Sequence, residues 1–300
     1  MFAITILGSN SAIPAFGRNP TAQIVQTQEY TFLVDCGEGT QMQIAKYKIK
    51  LSKISHVFIS HMHGDHYFGL IGLLSTMSLL NRTQDLHVFG PAILKDIIDL
   101  QFKAADVDLT YKLYFHAIEK EGIIADLPKM TINCFKVQHK IDCFGFVFKE
   151  KRNPRSIIPE KVKSFEIPAA FYDQLQKGEN YINKKGDIIE NSSVTTAGPK
   201  ARSYAYCADT IYDTSILTHI KEVDLLYHEA TYLKDQEEKA TARFHSTTIQ
   251  AASIAKLAAA KKLIIGHFSS RYPTVDEFLV EAKTVFENTY LATEGSCYQI

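Results

Sequence analysis

His56-Val57-Phe58-Ile59-Ser60-His61-Met62-His63-Gly64-Asp65-His66 begins as an uninterrupted apolar run and ends in four potential metal ligands within six residues. A continuous apolar run of this length predicts a buried strand, and its abrupt end places the polar residues at the strand's C-terminal edge. So many imidazole and carboxylate groups crowded beyond a buried strand need a compensating charge. Imidazole with carboxylate suits zinc, and manganese or iron less tightly, while the absence of paired thiolates nearby argues for an open catalytic site over a closed structural one. The plain alternative, a solvated turn that happens to be rich in histidine, fits poorly between a buried strand and the helix predicted over Tyr67 to Leu80.

Working outward, Phe2 to Leu7, Ala22 to Gln26 and Tyr30 to Val34 read as adjacent antiparallel strands separated by turn residues. Thr131 to Gln138 and Phe144 to Lys149 are strand-like and flank His139. Three more apolar runs end in ionisable residues: Ser203 to Thr210 reaches Asp209, Val223 to Glu229 reaches Glu229, and Lys262 to His267 reaches His267. Ser246 to Ala260 has helical spacing, with Ser246 or Thr247 available as an N-cap. This alternation predicts an α/β sandwich of the αββα kind, two mixed β-sheets flanked by helices, in which each half delivers ligands from strand ends. From about Glu150 to Lys200 the composition shifts to charges, Pro, Gly and Asn, with helix predicted only over Ile167 to Gln176; this is an insertion on an otherwise single domain spanning residues 1–300.

Forty-six per cent of the 300 residues are hydrophobic, enough for a well-buried core, so disorder is excluded as the default. Lys plus Arg (33) balances Asp plus Glu (33), so a polyanion must be met by a local patch. Cys36, Cys134, Cys143, Cys207 and Cys297 are odd in number and contain no CxxC pair, which fits reduced thiols and a cytoplasmic location. No apolar run approaches the roughly 18 residues of a membrane span, so no membrane partner is expected. His56, His87, His116, His219 and His228 fall outside the ligand pattern and read as structural or solvent-facing. Cys207, Phe68, Leu70 and Leu74 read as core.

The HxHxDH cluster with His139, Asp209 and His267 at later strand ends resembles the metallo-β-lactamase superfamily over essentially the whole chain. Leu7 to Pro14 with Arg18-Asn19, Asp35-Cys36-Gly37-Glu38-Gly39-Thr40-Gln41, His228-Glu229-Ala230-Thr231, His245-Ser246-Thr247 and His267-Phe268-Ser269-Ser270-Arg271-Tyr272 narrow the likeness to the short-form ribonuclease Z family of tRNA 3′-processing endonucleases. The resemblance implies the metallo-β-lactamase fold with a protruding tRNA-binding arm at residues 150–191. It implies two divalent metal ions, zinc first and manganese second: His61, His63 and His139 for one, Asp65, His66 and His267 for the other, and Asp209 bridging. It implies removal of the 3′ trailer of precursor tRNA by phosphodiester hydrolysis, leaving a 3′-hydroxyl, with no DNA partner and a homodimeric enzyme. Cleavage needs a base, charge stabilisation and an acid; the resemblance assigns Asp65 as base, His245 oriented by Glu229 as acid, and Arg271 as phosphate clamp.

Lys149 at the edge of the insertion and Lys151, Arg152, Arg155, Lys161, Lys163, Lys177, Lys184 and Lys185 within it could follow a phosphate backbone. Ala169-Ala170 stands where the family's arm usually has Gly-Pro, Ala208 where it has Gly, and Phe16-Gly17 where it tends to a basic pair. A small-molecule phosphodiesterase or esterase of the same superfamily is the competing enzyme reading; a non-catalytic RNA-binding module would need the ligands only for stability.

Overall fold

The strands Phe2–Gly8, Ala22–Thr27 and Thr31–Cys36 pair antiparallel in sequence order, as the alternation predicts. The computed structural model describes residues 1–151 and 153–300; Arg152, one of the basic residues of the insertion, lies outside them. The first sheet has seven strands in the order Cys297–Gln299, Phe2–Gly8, Ala22–Thr27, Thr31–Cys36, Ile54–Phe58, Leu86–Gly90 and Leu113–Ala117. It becomes parallel from Thr31–Cys36 onward, so the strands from there to Leu113–Ala117 all end on the same side. The second sheet runs Thr289–Leu291, Leu263–Gly266, Leu225–Glu229, Ser203–Cys207, Cys143–Glu150, Met130–Val137 and Gly122–Asp126. Its first four strands are parallel and also share an end, where Asp209, Glu229 and His267 emerge. Five strands of these sheets lie outside the predicted runs, Leu86–Gly90, Leu113–Ala117, Gly122–Asp126, Thr289–Leu291 and Cys297–Gln299; in the first two His87, Tyr114 and His116 interrupt the apolar pattern.

Alternation within strands builds the layers. Phe32, Val34 and Phe58 face a core shared with Phe146, Phe148, Tyr204 and Tyr206 of the second sheet. Leu33, Val57 and Ile59 point the other way, onto Leu70, Leu73, Leu74 and Met77 of the helix Leu70–Leu79. The helix Thr248–Leu257 covers the second sheet through Ala251, Ala252 and Ile254. Thr247 is its N-cap, and the Gln250 side chain returns a bond to the Thr247 backbone, a full capping box.

The helix predicted over Tyr67 to Leu80 is broken into Gly64–Tyr67 and Leu70–Leu79. Phe68 and Gly69 keep helical dihedrals, but Gly69 N donates to Cys36 O at 2.9 Å instead of within the helix, and a Cβ on Gly69 would lie 2.2 Å from Gly37 O, so only glycine lets the chain pack this closely on the Asp35 to Gly39 turn. The break turns Phe68 outward: it is 65% exposed, not core, whereas Leu70 and Leu74 are fully buried as expected.

The chain divides into two compact units, Met1–Lys149 with Arg202–Ile300, and Glu150–Ala201, the second matching the stretch of shifted composition and running on past the residues 150–191 given to the arm. The smaller unit has its own core of Val162, Ile167, Leu175, Ile189 and Val194. It contains a helix at Pro159–Ser164 that the composition conceals, and the helix predicted from Ile167 starts later, as a 3-10 turn at Ala169–Phe171 followed by Tyr172–Lys177. Pro168 explains the delay, since it disfavours helical backbone at Ile167. Among the described residues no helix is long and apolar enough to cross a membrane.

His56, His87 and His116 sit on three adjacent parallel strands and stack with Phe58 and Phe89. Burial first, then the proximity of His87 and His116, pushes His56 from 6.5 down to about 4, with Ser55 Oγ as the Nδ1 partner at 2.8 Å. The unfolded chain takes up that proton near 6.5, so the stability contributed by the neutral ring is complete above pH 6.5 and is lost as pH falls towards 4. In His56→Phe, the stability lost between pH 7 and pH 5 is expected to shrink by on the order of 2 kcal/mol, read from urea midpoints. An acid-induced loss identical to wild type would show that the ring does not titrate this way.

Candidate active site

The strand Ile54–Phe58 hands its C-terminal end to Ile59 and Ser60, whose backbone bonds to Phe89 O and Phe144 N hold the following turn between the sheets. From that turn His61 Nε2 and His63 Nδ1 approach each other to 3.1 Å, and His139 Nε2 lies 3.1 Å from the same His63 nitrogen. His66 and His267 form a second group with Asp65, whose Oδ2 is 3.6 Å and 3.3 Å from their Nε2 atoms. Asp209 lies between the two. Its Oδ2 is 3.7 Å and 3.8 Å from Nε2 of His61 and His139, and its Oδ1 is 3.4 Å and 3.2 Å from Nε2 of His66 and His267. The seven side chains singled out in the sequence are therefore brought together as two ligand sets facing the two oxygens of one carboxylate.

The outer nitrogens of four of the five histidines are spoken for. His61 Nδ1 meets Ser60 Oγ at 3.0 Å, His66 Nδ1 meets Asp35 Oδ2 at 2.7 Å, His139 Nδ1 meets Phe244 O at 2.9 Å and His267 Nδ1 meets Thr231 Oγ1 at 2.9 Å. Such partners orient the rings and aim the remaining nitrogen inward, as in metal centres generally. Inside, His66 Nε2 and Asp209 Oδ1 are fully buried without a hydrogen-bond partner. Burial, with the neighbouring histidines, holds His61 well below its ordinary value, and His63 and His139 are lowered chiefly by burial, so these rings are in the neutral, ligating form. Burial opposes charge on Asp65 and Asp209, yet His66 and His267 outweigh it and keep both ionised. His66, despite its burial, is held well up by Asp209, Asp65 and Asp35. Unpaired inward donors and an excess of carboxylate around them are what a pair of divalent cations satisfies, so the residues fit the group.

Beside this cluster Glu229, fully buried, accepts from Thr210 N, Thr231 N and Thr231 Oγ1, and its Oε1 lies 2.9 Å from His245 Nδ1. Burial lowers the His245 imidazolium, but the Glu229 carboxylate more than compensates and lifts it to about 9. The proton-bearing His245 shares with Asp65 and Asp209 a cavity of about 310 Å³, also lined by Ser11, Ala12, His63, Gly64 and Phe68. Arg271 is not among its lining residues: it is exposed, donates to Gln236 Oε1 and lies over the Tyr272 ring.

Three features went unpredicted. Asp35 takes four hydrogen bonds, from Ser60 N, Ser60 Oγ, His66 and Tyr206 Oη. Ala12 N donates to Asp65 Oδ2 at 2.7 Å. Ala12, Asp35, Phe244 and His267 all have positive φ, non-glycine backbone strain gathered around one site. The quoted Asp35 to Gln41 motif was the available signal for the first. His228 is buried against the Glu229 carbonyl and His219 stacks on Phe135, so neither belongs to the site.

Residues 2–154 match the family model described as Anti-Pycsar protein Apyc1. The chain is 40% identical to Ribonuclease Z of Bacteroides thetaiotaomicron over 100% of its length and 95% of that protein's, and 44% identical to Ribonuclease Z of Cytophaga hutchinsonii over 100% and 96%. Among solved structures it resembles human tRNase Z, short form, with a TM-score of 0.73, 27% identity and 99% of each chain covered.

Proposed function

The chain belongs to the ribonuclease Z family, with residues 2–154 also within the family described as Anti-Pycsar protein Apyc1, and as an endoribonuclease that processes tRNA 3′ ends it uses, we propose, the His/Asp cluster and His245 as its catalytic machinery. His61, His63 and His139 would hold one divalent cation and Asp65, His66 and His267 a second, with Asp209 shared between them. Zinc suits this imidazole-rich donor set best, with manganese second. When bound, such a pair supplies Lewis acidity at phosphorus and brings the ionisation of water towards neutral pH.

The protein's own groups do the rest. The Asp65 carboxylate, steadied by Ala12 N, accepts the proton of the attacking water. Glu229 holds Nδ1 of His245 and keeps the ring protonated, leaving Nε2 to give its proton to the departing 3′ oxygen of the tRNA. The products are a tRNA ending in a 3′-hydroxyl and a trailer with a 5′-phosphate. Arg271, bonded to the uncharged Gln236, can exchange that partner for a phosphate of the bound RNA. Lys161, Lys163, Lys177, Lys184 and Lys185 of the inserted arm, residues 150–191, would follow the tRNA backbone, whereas Arg155 is tied to Thr195 Oγ1 and serves the arm's own fold. A cytoplasmic homodimer completes the reading.

The observation that carries it is the convergence of five imidazoles and the Asp65 and Asp209 carboxylates, with the Glu229-oriented His245 on the wall of the cavity that Asp65 and Asp209 line. The direct test is mapping the products of a precursor tRNA incubated with the metal-loaded protein. Cleavage next to the discriminator base is expected; turnover of a small phosphodiester with the precursor left intact would sink the assignment. In His245→Ala, kcat on the precursor is expected to fall about 100-fold or more with KM little changed.

A further inference from the structure

Phe68 is a large apolar side chain that the fold leaves in water. At 65% exposure it lines the same cavity as Asp65, Asp209 and His245, three residues after Asp65 at the end of the Gly64–Tyr67 turn of helix. Its position is held: the ring lies against Gly64, where a Cβ would come within 2.1 Å of Phe68 Cε2, and Tyr67 packs edge-on at 5.0 Å. The absence of a side chain on Gly64, between the ligands His63 and Asp65, is what makes room for the ring.

A phenyl ring offers nothing to phosphate oxygens, so at the rim of a phosphate-cleaving cavity it meets whatever flanks the phosphate. In RNA that partner with a complementary flat apolar surface is a base, and unpaired bases stack on such rings irrespective of their identity. We infer that Phe68 is a stacking platform for a nucleobase adjoining the scissile phosphate. The inference rests on the ribonuclease reading and adds a positioning residue to it: by fixing one neighbouring base, Phe68 sets which phosphodiester is presented to the cluster.

The test is single-turnover cleavage by wild type, Phe68→Ala and Phe68→Tyr of three precursors: native, abasic at the nucleotide 5′ of the cleaved bond, and abasic at the nucleotide 3′ of it. Phe68→Ala is expected to lower kcat/KM on the native precursor about tenfold, and Phe68→Tyr to stay near wild type. One abasic precursor is expected to slow the wild type by a similar factor and to leave Phe68→Ala no slower than on native RNA; the side on which this happens identifies the stacked base. If Phe68→Ala loses the same factor on all three precursors, as a structural or subunit-contact role would require, or loses nothing on the native one, the platform is disproved. A wild-type enzyme that leaves the native precursor uncut overturns this inference together with the ribonuclease reading, whereas normal cutting without the abasic interdependence overturns this inference alone.

Discussion

Asp65→Ala is expected to lower cleavage of precursor tRNA by about 1,000-fold or more, the largest effect of any single substitution outside the core. One side chain serves two purposes. Its Oδ2 faces Nε2 of both His66 and His267, and in the proposed mechanism its carboxylate takes the proton of the attacking water. Loss of a positioned base alone typically lowers a rate by about 10² to 10⁴, and removing a ligand weakens retention of the second cation as well. The residue stands on the cavity wall, so the variant should fold, which circular dichroism would establish. Its metal content should fall towards half that of wild type, with His61, His63 and His139 still in place. Cleavage at the wild-type rate would eliminate the mechanism.

Asp35→Ala is expected to act through stability first and activity second. The carboxylate is fully buried and accepts from Ser60 N at 2.7 Å, Ser60 Oγ at 2.9 Å, His66 Nδ1 at 2.7 Å and Tyr206 Oη at 2.6 Å. Ser60 belongs to the turn after the first sheet's strand and Tyr206 to the second sheet, so a single residue ties the two sheets beneath the site. Alanine leaves those donors buried and unpaired, and it must adopt the φ of +55° that Asp and Asn tolerate better. A loss of about 3 to 5 kcal/mol in urea unfolding of metal-free protein is expected. Asp35→Asn, which preserves an acceptor and the backbone preference, should lose less than half as much. In either variant His66 is no longer held by a carboxylate, and competition with a chelator should reveal metal affinity weakened about 10- to 100-fold. Unchanged stability and unchanged affinity in Asp35→Ala would show that the network is ornamental.

The two predictions mark different depths of legibility. Asp65 is readable from its neighbours, because a buried strand followed at once by His61, His63, Asp65 and His66 is a local pattern. Asp35 is not, because a strand-end Asp before Cys36-Gly37 looks like any turn residue until Ser60 and Tyr206 close around it. The same contrast separates Leu70 and Leu74, which periodicity places correctly in the core, from Phe68, which the identical periodicity misplaces. Helical spacing assumes a continuous helix, and its hydrogen bonding is interrupted at Gly69, whose amide goes to the carbonyl of Cys36, a residue far away in the sequence. Arg271 shows the converse: the motif that names it also puts it near His267, yet its side chain lies on Gln236, outside the cavity.

Sequence alone determined the chemistry available: which residues end the buried strands, that they are imidazoles and carboxylates rather than thiols, and that both halves of the chain supply them. Those are consequences of apolar runs breaking into polar residues, a property of a few neighbouring positions. Only the tertiary structure decided how the groups face one another: Asp209 presenting one oxygen to each ligand set, the outer nitrogens taken by Ser60, Asp35, Phe244 and Thr231, and Phe68 left at the rim. These arrangements join residues as far apart in the chain as Asp65 and His267. Orientation at that range is set by sheet registry and by the need of each buried polar atom for a partner, neither of which is encoded in any one stretch.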